Sequence, residues 1–398
     1  MGAYDIAVAG CGPAGLAAAL LLARDGHRVR LFERFDEPQP VGSGLLVQPT
    51  GQAVLRRLGL LDALAARGQR VERLFGRAMP SGQVVLNVHY DWLKGGHAGI
   101  GVHRAALFDL LYGAVRAAGI AVETGRTIVG SEAAGPGRVL RFDDGESGRF
   151  DLVVDALGAG SPLAPPCGRA LAYGALWVTL DWPEGGAFDA GALEQRYIAA
   201  RKMVGVLPIG RSKPDGPRQA AFFWSLRADQ YADWRAAGLE PWKAEIAALW
   251  PETGWFLERI ADPGQLTFAR YAHRTLKTPA RPGLIHIGDA WHSTSPQLGQ
   301  GANMALLDAW ALAQGLRETR GLAAGLDAAV ALRRDHVRLF QALSILFTPA
   351  YQSDGRAMAF IRDRLVAPFI HWWPATVIQA GMVTGLMGNP LAALGLDR

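Results

Sequence analysis

Three glycines near the start of the chain, Gly10, Gly12 and Gly15, have the spacing of a phosphate-binding loop. They follow the strand-like run YDIAVAG and open an apolar helical run that ends at Gly26. At this spacing the first glycine permits a tight turn, the second lets backbone approach a pyrophosphate, and the third lets helix and strand pack closely. The helix start then offers free N–H groups to phosphates. The pattern predicts a bound dinucleotide.

An acidic residue, Glu33, ends the next strand-like run, HRVRLFE, about 20 residues after the loop. A carboxylate here accepts hydrogen bonds from a ribose 2′-hydroxyl, which disfavours a 2′-phosphate. We assign Glu33 and its neighbour Arg34 to the same cofactor site. A structural turn beside a surface glutamate is the alternative.

A second stretch, HIGDAWHSTSPQLGQGANMALLDA, runs from His286 to Ala309. Asp289 directly follows an apolar strand-like run, and two glycines then open an apolar helix. The start of a helix stabilises an anion by roughly 0.3–1 kcal/mol, and by up to about 2 kcal/mol when partly buried. The stretch therefore indicates a ligand, although Asp289 alone would also suit a helix cap or a solvated loop.

The elements that must position these residues are of two kinds. Helical and parallel-type segments flank an aromatic middle of antiparallel character, which one helix-like insertion interrupts. The order predicts an α/β fold, with a Rossmann-like domain, an inserted and mainly antiparallel β-sheet domain, and a C-terminal helical region. The predicted segments are 1–75, 98–170 and 280–340 for the cofactor domain, 76–97 and 171–279 for the substrate domain, and 341–398 for the apolar C-terminal helical region.

The stretch GDAWHSTSPQLGQGAN resembles the second FAD-binding signature of the group A flavoprotein monooxygenases, which share the para-hydroxybenzoate hydroxylase fold. The resemblance extends over the glycine loop, GSGLLVQPTGQAVLRRLGLLD and VHRAALFDLL. It implies that the dinucleotide is FAD. The residues assigned to the cofactor are Gly10, Gly12, Gly15, Glu33, Arg34, Arg104, Asp289, Pro296, Gly299, Gln300, Gly301 and Asn303.

The resemblance also implies roles for single residues. Asp289 resembles the aspartate that holds the ribityl chain, and Arg104 resembles the arginine near the ribityl-pyrophosphate region. Pro296 resembles the proline that borders the isoalloxazine. The backbone N–H groups of 299–303 resemble those that face the flavin N1–C2=O edge. His292 is expected to make a structural hydrogen bond, because its family counterpart is not generally the catalytic base.

The activity implied by the resemblance is monooxygenation. NAD(P)H reduces FAD, O2 adds at flavin C4a, and the resulting C4a-hydroperoxide transfers one oxygen atom to an electron-rich aromatic or polyketide-like small molecule of the natural-product type. A reductase or oxidase on the same scaffold, such as a prenyl-chain reductase, is the main alternative, and a non-catalytic flavin-binding protein is another. A halogenase is disfavoured because the Trp-x-Trp-x-Ile-Pro signature is absent. No metal site is predicted, since no ligand cluster has suitable spacing.

One motif departs from the family pattern. Family members carry Gly-Ala-Asp-Gly at a strand end, with an aspartate implicated in binding FAD and NAD(P)H. Here the matching text is DLVVDALGAGS, with Leu157 in place of that aspartate and Asp155 two residues before it. Asp155 could substitute from the same strand face. Otherwise the use of NADPH or NADH is altered, and a separate flavin reductase supplies the electrons.

The aromatic middle of the chain is the predicted substrate platform. On a sheet, about half of its side chains would face the pocket. The candidates are Trp177, Met203, Pro208, Phe222 and Trp224, with Phe223 on the same segment. No catalytic base can be assigned, although His89, Tyr90 and His97 are the nearest candidates.

The charge pattern limits the partners. The chain has 398 residues, a net charge of +5 and scattered arginines, which favours a solvated basic surface over a nucleic-acid-binding face. Two cysteines and no signal-peptide pattern favour the cytoplasm. Residues 365–396 contain no Asp, Glu, Lys or Arg. This stretch predicts packing over the core or a dimer contact, with membrane-surface association and a membrane span as alternatives.

Overall fold

A computed structural model describes residues 2–39, 43–186 and 188–397 of the chain. Gly42, the first residue of the motif GSGLLVQPTG, lies outside the described residues. The strands are β1 (Asp5–Ala9), β2 (Arg28–Phe32), β3 (Gly44–Val47), β4 (Gln69–Val71), β5 (Arg73–Ala78), β6 (Gln83–His89), β7 (Gly99–His103), β8 (Ala121–Glu123), β9 (Ile128–Ala134), β10 (Gly137–Phe142), β11 (Gly145–Glu146), β12 (Leu152–Asp155), β13 (Arg169–Asp181), β14 (Ala192–Ile198), β15 (Lys202–Gly210), β16 (Gln219–Arg227), β17 (Thr267–Thr275), β18 (Ala280–Arg281), β19 (Leu284–His286) and β20 (His292–Ser293). The α-helices are α1 (Pro13–Arg24), α2 (Pro49–Leu58), α3 (Leu61–Arg67), α4 (Arg104–Ala117), α5 (Tyr231–Ala237), α6 (Leu239–Leu249), α7 (Gly254–Glu258), α8 (Gly301–Glu318), α9 (Leu322–Tyr351), α10 (Arg356–Phe360), α11 (Ala375–Thr384) and α12 (Pro390–Ala393).

The first sheet carries the glycine loop. Its strand order is β18-β19-β12-β1-β2-β8, and β1, β2, β8, β12 and β19 run parallel. Helix α1 is apolar almost throughout and buries Ala14 to Leu22. A helix that is apolar on all sides is buried on all sides. It packs against strands β1 and β2 and against α4 and α8, so the turn that precedes it is held firmly.

The second sheet is mainly antiparallel, in the order β20-β17-β13-β16-β15-β14-β5-β6, with β14 and β5 parallel. One face packs on the helices after β16. There Phe222 and Trp224 join a core with Trp242 of α6 and Phe256 of α7. The opposite face bounds a large cavity.

The predicted fold class is confirmed, because a parallel α/β sheet and a second, mainly antiparallel sheet are both present. The helical insertion in the aromatic middle, α5 to α7, also lies where the sequence predicts it. The segment boundaries remain predictions. Strand β5 begins at Arg73, just before the predicted boundary at 76, and β20 of the 280–340 segment pairs with β17 in the second sheet.

The chain ends in a series of short helices that follow α9. This C-terminal segment, residues 352–397, contains α10, a π-helical turn (Ile361–Val366), a 3₁₀ turn (Ala367–Phe369), α11 and α12. Part of it lies over the cavity. Across the described ranges, none of the helices has both the length and the apolar character that crossing a membrane requires.

Candidate cofactor site and adjoining cavity

The glycine loop joins β1 to α1 at the centre of the first sheet. Gly10 adopts φ +101°, which favours glycine, and a Cβ there would lie 2.8 Å from the carbonyl oxygen of Ala156. A Cβ on Gly15 would lie 2.0 Å from the carbonyl oxygen of Gly10, so helix and turn touch through backbone alone. At Gly12 a Cβ would meet no protein atom within 4 Å. The protein fold therefore requires Gly10 and Gly15, whereas Gly12 leaves room for a ligand.

Glu33 ties the end of β2 to this loop. Its Oε2 accepts a hydrogen bond from the backbone N–H of Cys11 at 3.0 Å, and its Oε1 accepts one from Arg34 N at 2.8 Å. The carboxylate thus lies beside the loop, where the sequence predicts a ribose contact. The exposed Arg34 side chain instead lies over the ring of Phe35, with the guanidinium carbon 4.7 Å from the ring centre. The cofactor roles of Glu33 and Arg34 remain predictions.

The second motif forms the wall of the cavity next to the loop. Strand β19 ends at His286, and Gly288 turns the chain with φ +58° into a 3₁₀ turn that contains Asp289. Asp289 and Arg104, the first residue of α4, both line the cavity. The surrounding protein removes water from the Asp289 carboxyl and so raises its pKa, and electrostatic interactions with His292 and Arg104 partly offset this rise. A carboxyl and a guanidinium therefore face the same space, as the ribityl assignment predicts.

The start of α8 closes the same wall. Gly299 adopts φ +62° after the turn at Pro296, and the helix begins at Gly301 without a side-chain cap. The Asn303 side chain braces this turn: its Oδ1 accepts from Gln48 N at 2.8 Å, and its Nδ2 donates to the carbonyl of Gly299 at 3.0 Å. Asn303 thus acts through its neighbours, and the helix start is left free to face a ligand.

The cavity has a volume of about 680 Å³ and three walls. The cofactor motifs form the first wall, the second sheet forms another, and α9 with the C-terminal segment forms the third. The lining includes Arg104, Asp289, Pro296 and Gly299–Gly301 on the first wall, Trp177, Gln195, Tyr197, Met203, Phe223 and Tyr271 on the sheet, and Phe347, Gln352, Leu365, Phe369, Ile378 and Val383 on the third wall. One space therefore joins the cofactor wall to an aromatic wall.

Unsatisfied polar atoms on these walls support a bound group. Among the described residues, Gln48 Nε2, Gln297 Nε2 and Gln300 Oε1 are buried and have no hydrogen-bond partner, and all three side chains line the cavity. Buried polar groups in folded proteins are normally paired. With the backbone cradle at Gly12 and the open start of α8, they fit a cofactor that carries phosphates and a polar ring edge.

Comparison with known proteins decides the family. A family model described as an FAD binding domain matches residues 3–342, which is most of the chain. The chain belongs to the group A flavoprotein monooxygenases. Its cofactor is FAD.

Relatives match this flavoprotein over most of its length. The 6-methylpretetramide 4-monooxygenase of Streptomyces rimosus is 30% identical over 380 residues, covering 90% of this chain and 87% of that protein. The 3-amino-4-hydroxybenzoate 2-monooxygenase of Streptomyces cremeus is 27% identical over 372 residues, covering 89% and 86%. Among solved structures, Klebsiella pneumoniae HpxO complexed with FAD and uric acid has a TM-score of 0.80 at 22% identity, covering 97% of this chain and 98% of that one. The last comparison shows a shared fold.

The substrate residues predicted for this flavoprotein divide between two faces of the second sheet. Trp177 and Met203 line the cavity, and so does Phe223, whose ring stacks on Trp177 at 4.5 Å. Phe222 and Trp224 point the other way into the core of α6 and α7, because successive strand residues alternate between faces. Neither of the two lies on the lining of this cavity.

Pro208 and the three candidate bases also lie off the described lining. Pro208 shares the strand face of Val206, and its neighbour Leu207 lines the cavity instead. Tyr90 is fully buried and donates to Gln48 Oε1 at 2.7 Å. His89 lies against Trp92, 5.3 Å between ring centres, and His97 is likewise outside the lining. None of the three bases is placed to take a proton from a molecule in the cavity.

Several lining residues carried no sequence signal. Tyr271 accepts a hydrogen bond from Trp177 Nε1 at 2.9 Å, and burial raises its pKa to about 12. The side-chain Nε2 and Oε1 of Gln352 are buried without partners among the described residues. A tyrosine or glutamine in an aromatic stretch resembles ordinary core or surface, so only the cavity reveals these two.

The departure at Leu157 has a structural explanation. Asp155 is wholly buried, and its Oδ2 contacts His286 Nδ1 and accepts from Ser161 Oγ, both at 2.6 Å. Its Oδ1 accepts from Leu157 N at 3.0 Å. Asp155 therefore does not substitute for the missing aspartate, because its carboxylate is used within the protein. The Leu157 side chain packs beside an apolar cluster that contains Phe32.

A buried ionic network supports the Asp289 turn from behind. Asp308 accepts from Gly288 N at 2.9 Å, contacts His292 Nε2 at 2.7 Å and accepts from Arg333 Nε at 2.8 Å. Burial raises the pKa of Asp308, but His292 and Arg333 outweigh it and bring the pKa to about 2. The predicted structural hydrogen bond of His292 is confirmed. The network fixes the turn that presents Asp289.

His336 extends this network and makes stability depend on pH. Its Nε2 donates to the carbonyl of Gly385 at 3.0 Å, and its Nδ1 accepts from Arg333 at 2.9 Å, so the ring is neutral. Burial and then Arg333 lower its pKa to about 3. Above the ordinary histidine pKa near 6.5 the ring is neutral in both states, and its full contribution to the free energy of unfolding is present. As pH falls from 6.5 toward 3, the unfolded chain binds a proton that the folded chain does not, so this contribution to stability is lost.

We expect His336→Gln to flatten the pH dependence of stability. Glutamine can donate to Gly385 and accept from Arg333, but it does not titrate. Between pH 6.5 and 4 the free energy of unfolding of the native protein should fall more steeply than that of the variant, by up to ~1.4 kcal/mol per pH unit. Urea unfolding at four pH values in this window measures both slopes. Equal slopes would contradict the neutral, buried state of His336.

Proposed function

We propose that this flavoprotein inserts one oxygen atom from O2 into an aromatic or polyketide-like small molecule. The observation that carries the proposal is the single cavity that joins the flavin-binding wall at Asp289 and Gly299 to the aromatic wall at Trp177 and Phe223. The two curated relatives are named as monooxygenases of 6-methylpretetramide and of 3-amino-4-hydroxybenzoate. Both names support a flat ring substrate.

The chain positions the substrate and excludes water. FAD, when bound, supplies the redox chemistry and the activation of O2. The open start of α8 at Gly301 stabilises negative charge at the ring edge it faces. Trp177, held by Tyr271 and stacked on Phe223, gives a rigid apolar surface for a planar ring.

Polar groups at the far side of the cavity would orient the substrate. Tyr197 donates to Gln195 Oε1 at 2.7 Å, which directs the Gln195 amide toward the sulfur of Met203 at 3.3 Å. Gln352 offers an unsatisfied amide from the third wall. A hydroxyl or carbonyl on the substrate would form a hydrogen bond with that amide. A ligand without such a group would leave the buried amide unpaired, and the site would therefore discriminate against it.

We also propose that the bound FAD receives its electrons by an altered route. NAD(P)H is the typical reductant of the family, but Leu157 cannot accept a hydrogen bond, and the carboxylate of Asp155 is fully used inside the protein. A separate flavin reductase would relieve the chain of binding the nicotinamide. Slow reduction of the bound FAD by NADPH or NADH alone is the expected sign of this arrangement.

Contact through the C-terminal segment is also part of the proposal. Its exposed apolar side chains support association with a membrane surface or with a second copy of the chain. A cytoplasmic enzyme with peripheral membrane contact fits both the charge pattern and these side chains.

Oxygen transfer is tested with the FAD-loaded protein, heavy-isotope O2 and a panel of phenols and polyketides. One set of reactions contains NADPH alone, and a second contains NADPH with a separate flavin reductase. We expect products that carry one labelled oxygen, formed much faster in the second set. Unlabelled or reduced products would favour the reductase alternative, and stopped-flow reduction at turnover speed by NADPH alone would overturn the altered electron supply.

A matched pair of variants connects this activity to the cavity. Phe223→Leu removes a ring that lines the cavity, and Phe222→Leu removes a ring from the opposite face of the same strand. For folded, FAD-loaded protein we expect the first change to raise KM or uncouple O2 consumption and the second to leave both unchanged. The reverse pattern would place the substrate elsewhere.

A further inference from the structure

Exposed apolar side chains are concentrated at one place in the described structure. We call this place the apolar cap, and it comprises Ile345, Leu346, Phe360, Ile361, Leu365, Val366, Phe369, Trp372, Trp373, Val377 and Ile378. Elsewhere in the described chain, the exposed large apolar side chains are Val129 and Ile198. Contiguous apolar patches on a protein surface mark sites of interaction.

The apolar cap surrounds the mouth of the cavity. Leu365, Val366, Phe369 and Ile378 are each about half exposed to solvent, and each also lines the cavity. They come from the π-helical turn, the 3₁₀ turn and α11, so all three elements border the opening of the cavity. Whatever covers the cap therefore also meets the entrance to the proposed substrate site.

We infer that a lipid bilayer covers the apolar cap and that apolar substrates enter the cavity directly from it. The substrate part of this inference rests on the proposed function and names its class: an aromatic compound with an apolar tail. Its ring would lie at Trp177 and Phe223, and its tail would run along Leu365 and Phe369 toward the mouth.

The tryptophans at the tip of the cap favour a bilayer. Trp372 and Trp373 are 66% and 81% exposed. Tryptophan is enriched at membrane interfaces, because its ring is apolar and its N–H remains hydrated. With no membrane-spanning helix among the described residues, a surface contact about as deep as these rings accounts for the cap.

Charge at the border favours an anionic bilayer over a second copy. Asp354 accepts a hydrogen bond from Tyr173 in the body of the protein, and Asp363 is paired with Arg362 at 2.7 Å. Arg364 is exposed beside Leu365. A symmetric contact between copies would place one Arg364 side chain from each copy at the interface, whereas anionic headgroups attract this residue by about 1 kcal/mol per basic side chain.

Vesicle flotation tests the docking surface. The FAD-loaded full chain is mixed with phosphatidylcholine vesicles that contain about one third phosphatidylglycerol, or with pure phosphatidylcholine vesicles. We expect the native protein to float with the mixed vesicles and the Trp372→Ser/Trp373→Ser variant to partition at least about tenfold less. Val129→Ser changes an exposed apolar residue of β9, outside the cap, and is the matched control that should float like the native protein. Arg364→Glu should weaken binding to the mixed vesicles only.

Three results would overturn the inference. The first is a native protein that stays in the lipid-free fraction at every lipid concentration, and the second is a tryptophan variant that floats as well as the native protein. The third is a native protein that is a dimer in light scattering while the tryptophan variant is a monomer, which would assign the face to a second copy. The FAD spectrum of each variant reports its folding. Because flotation requires no turnover, its failure is distinct from a failure of oxygen transfer.

The substrate part has its own readout. With a phenol that carries a long alkyl chain, mixed vesicles should raise the rate of product formation severalfold in the native protein and not in the tryptophan variant. A short water-soluble phenol should show no vesicle effect in either protein. Equal vesicle effects in both proteins would contradict entry through the cap.

Discussion

Gly12→Ala is expected to weaken FAD binding by about 100-fold, or about 2.8 kcal/mol, while the melting temperature of the apoprotein stays the same. The backbone at Gly12 is extended, with φ −71° and ψ 174°, so alanine fits its conformation. Its Cβ would meet no protein atom within 4 Å. The methyl group would instead occupy the space through which the backbone approaches a pyrophosphate. Titration of apoprotein with FAD, followed by flavin fluorescence, measures the affinity.

Gly15→Ala provides the contrast for this prediction. Its Cβ would lie 2.0 Å from the carbonyl oxygen of Gly10, so the turn must move before any ligand binds. We expect the apoprotein to lose about 3 kcal/mol of stability, at the upper end of overpacking effects, and FAD affinity to fall as well. Native affinity in Gly12→Ala would show that the phosphates lie elsewhere. An unchanged melting temperature in Gly15→Ala would contradict the close packing of helix and turn.

Asp308→Ala should destabilise the protein by about 3–5 kcal/mol, because it leaves a buried cation without its partner. The side chains of Arg333 and Asp308 are both almost wholly inaccessible to solvent. The same change removes the hydrogen bond that holds Gly288 N and therefore loosens the turn that carries Asp289. Urea unfolding of the apoprotein measures the first effect, and FAD affinity of the folded fraction measures the second.

A double variant separates charge from packing. Arg333→Met/Asp308→Leu removes both charges and keeps apolar volume, so it should be more stable than either single variant. FAD affinity should remain reduced in the double variant, since leucine cannot accept from Gly288 N. If the double variant loses as much free energy of unfolding as the two single variants together, the destabilisation arises from lost packing and not from an unpaired charge.

The places of the cofactor motifs in the fold could be predicted from the sequence because these residues follow local order, whereas their contacts with FAD stay predictions. Gly10, Gly12 and Gly15 lie between a strand and a helix, and Asp289 lies directly after a strand. These patterns need only a few neighbours to be recognised. The α/β fold follows for the same reason, since strands that alternate with helices form parallel sheets.

The lining of the substrate half could be predicted only in part, with Trp177 and Met203, because its signals depend on distant partners. The stretch QAAFFWSL is apolar on both faces of its strand. Without an alternation of apolar and polar residues, the sequence does not show that Phe223 faces the cavity and Phe222 does not. Arg333 lies in a helix where a charged residue usually indicates a solvated face. Its burial follows from Asp308, which belongs to a different helix.

Two hydrogen bonds tie the C-terminal segment to other elements around the cavity, one from the turn before α8 and one from α9. Gln300 Nε2 donates to the carbonyl of Val383 at 2.6 Å, and His336 Nε2 donates to that of Gly385 at 3.0 Å. The first bond connects the cofactor wall to α11, which carries part of the cap, so the two sites share this contact. Thermodynamic reciprocity then applies: any change that FAD makes in the affinity for a surface partner must equal the change that the partner makes in the affinity for FAD.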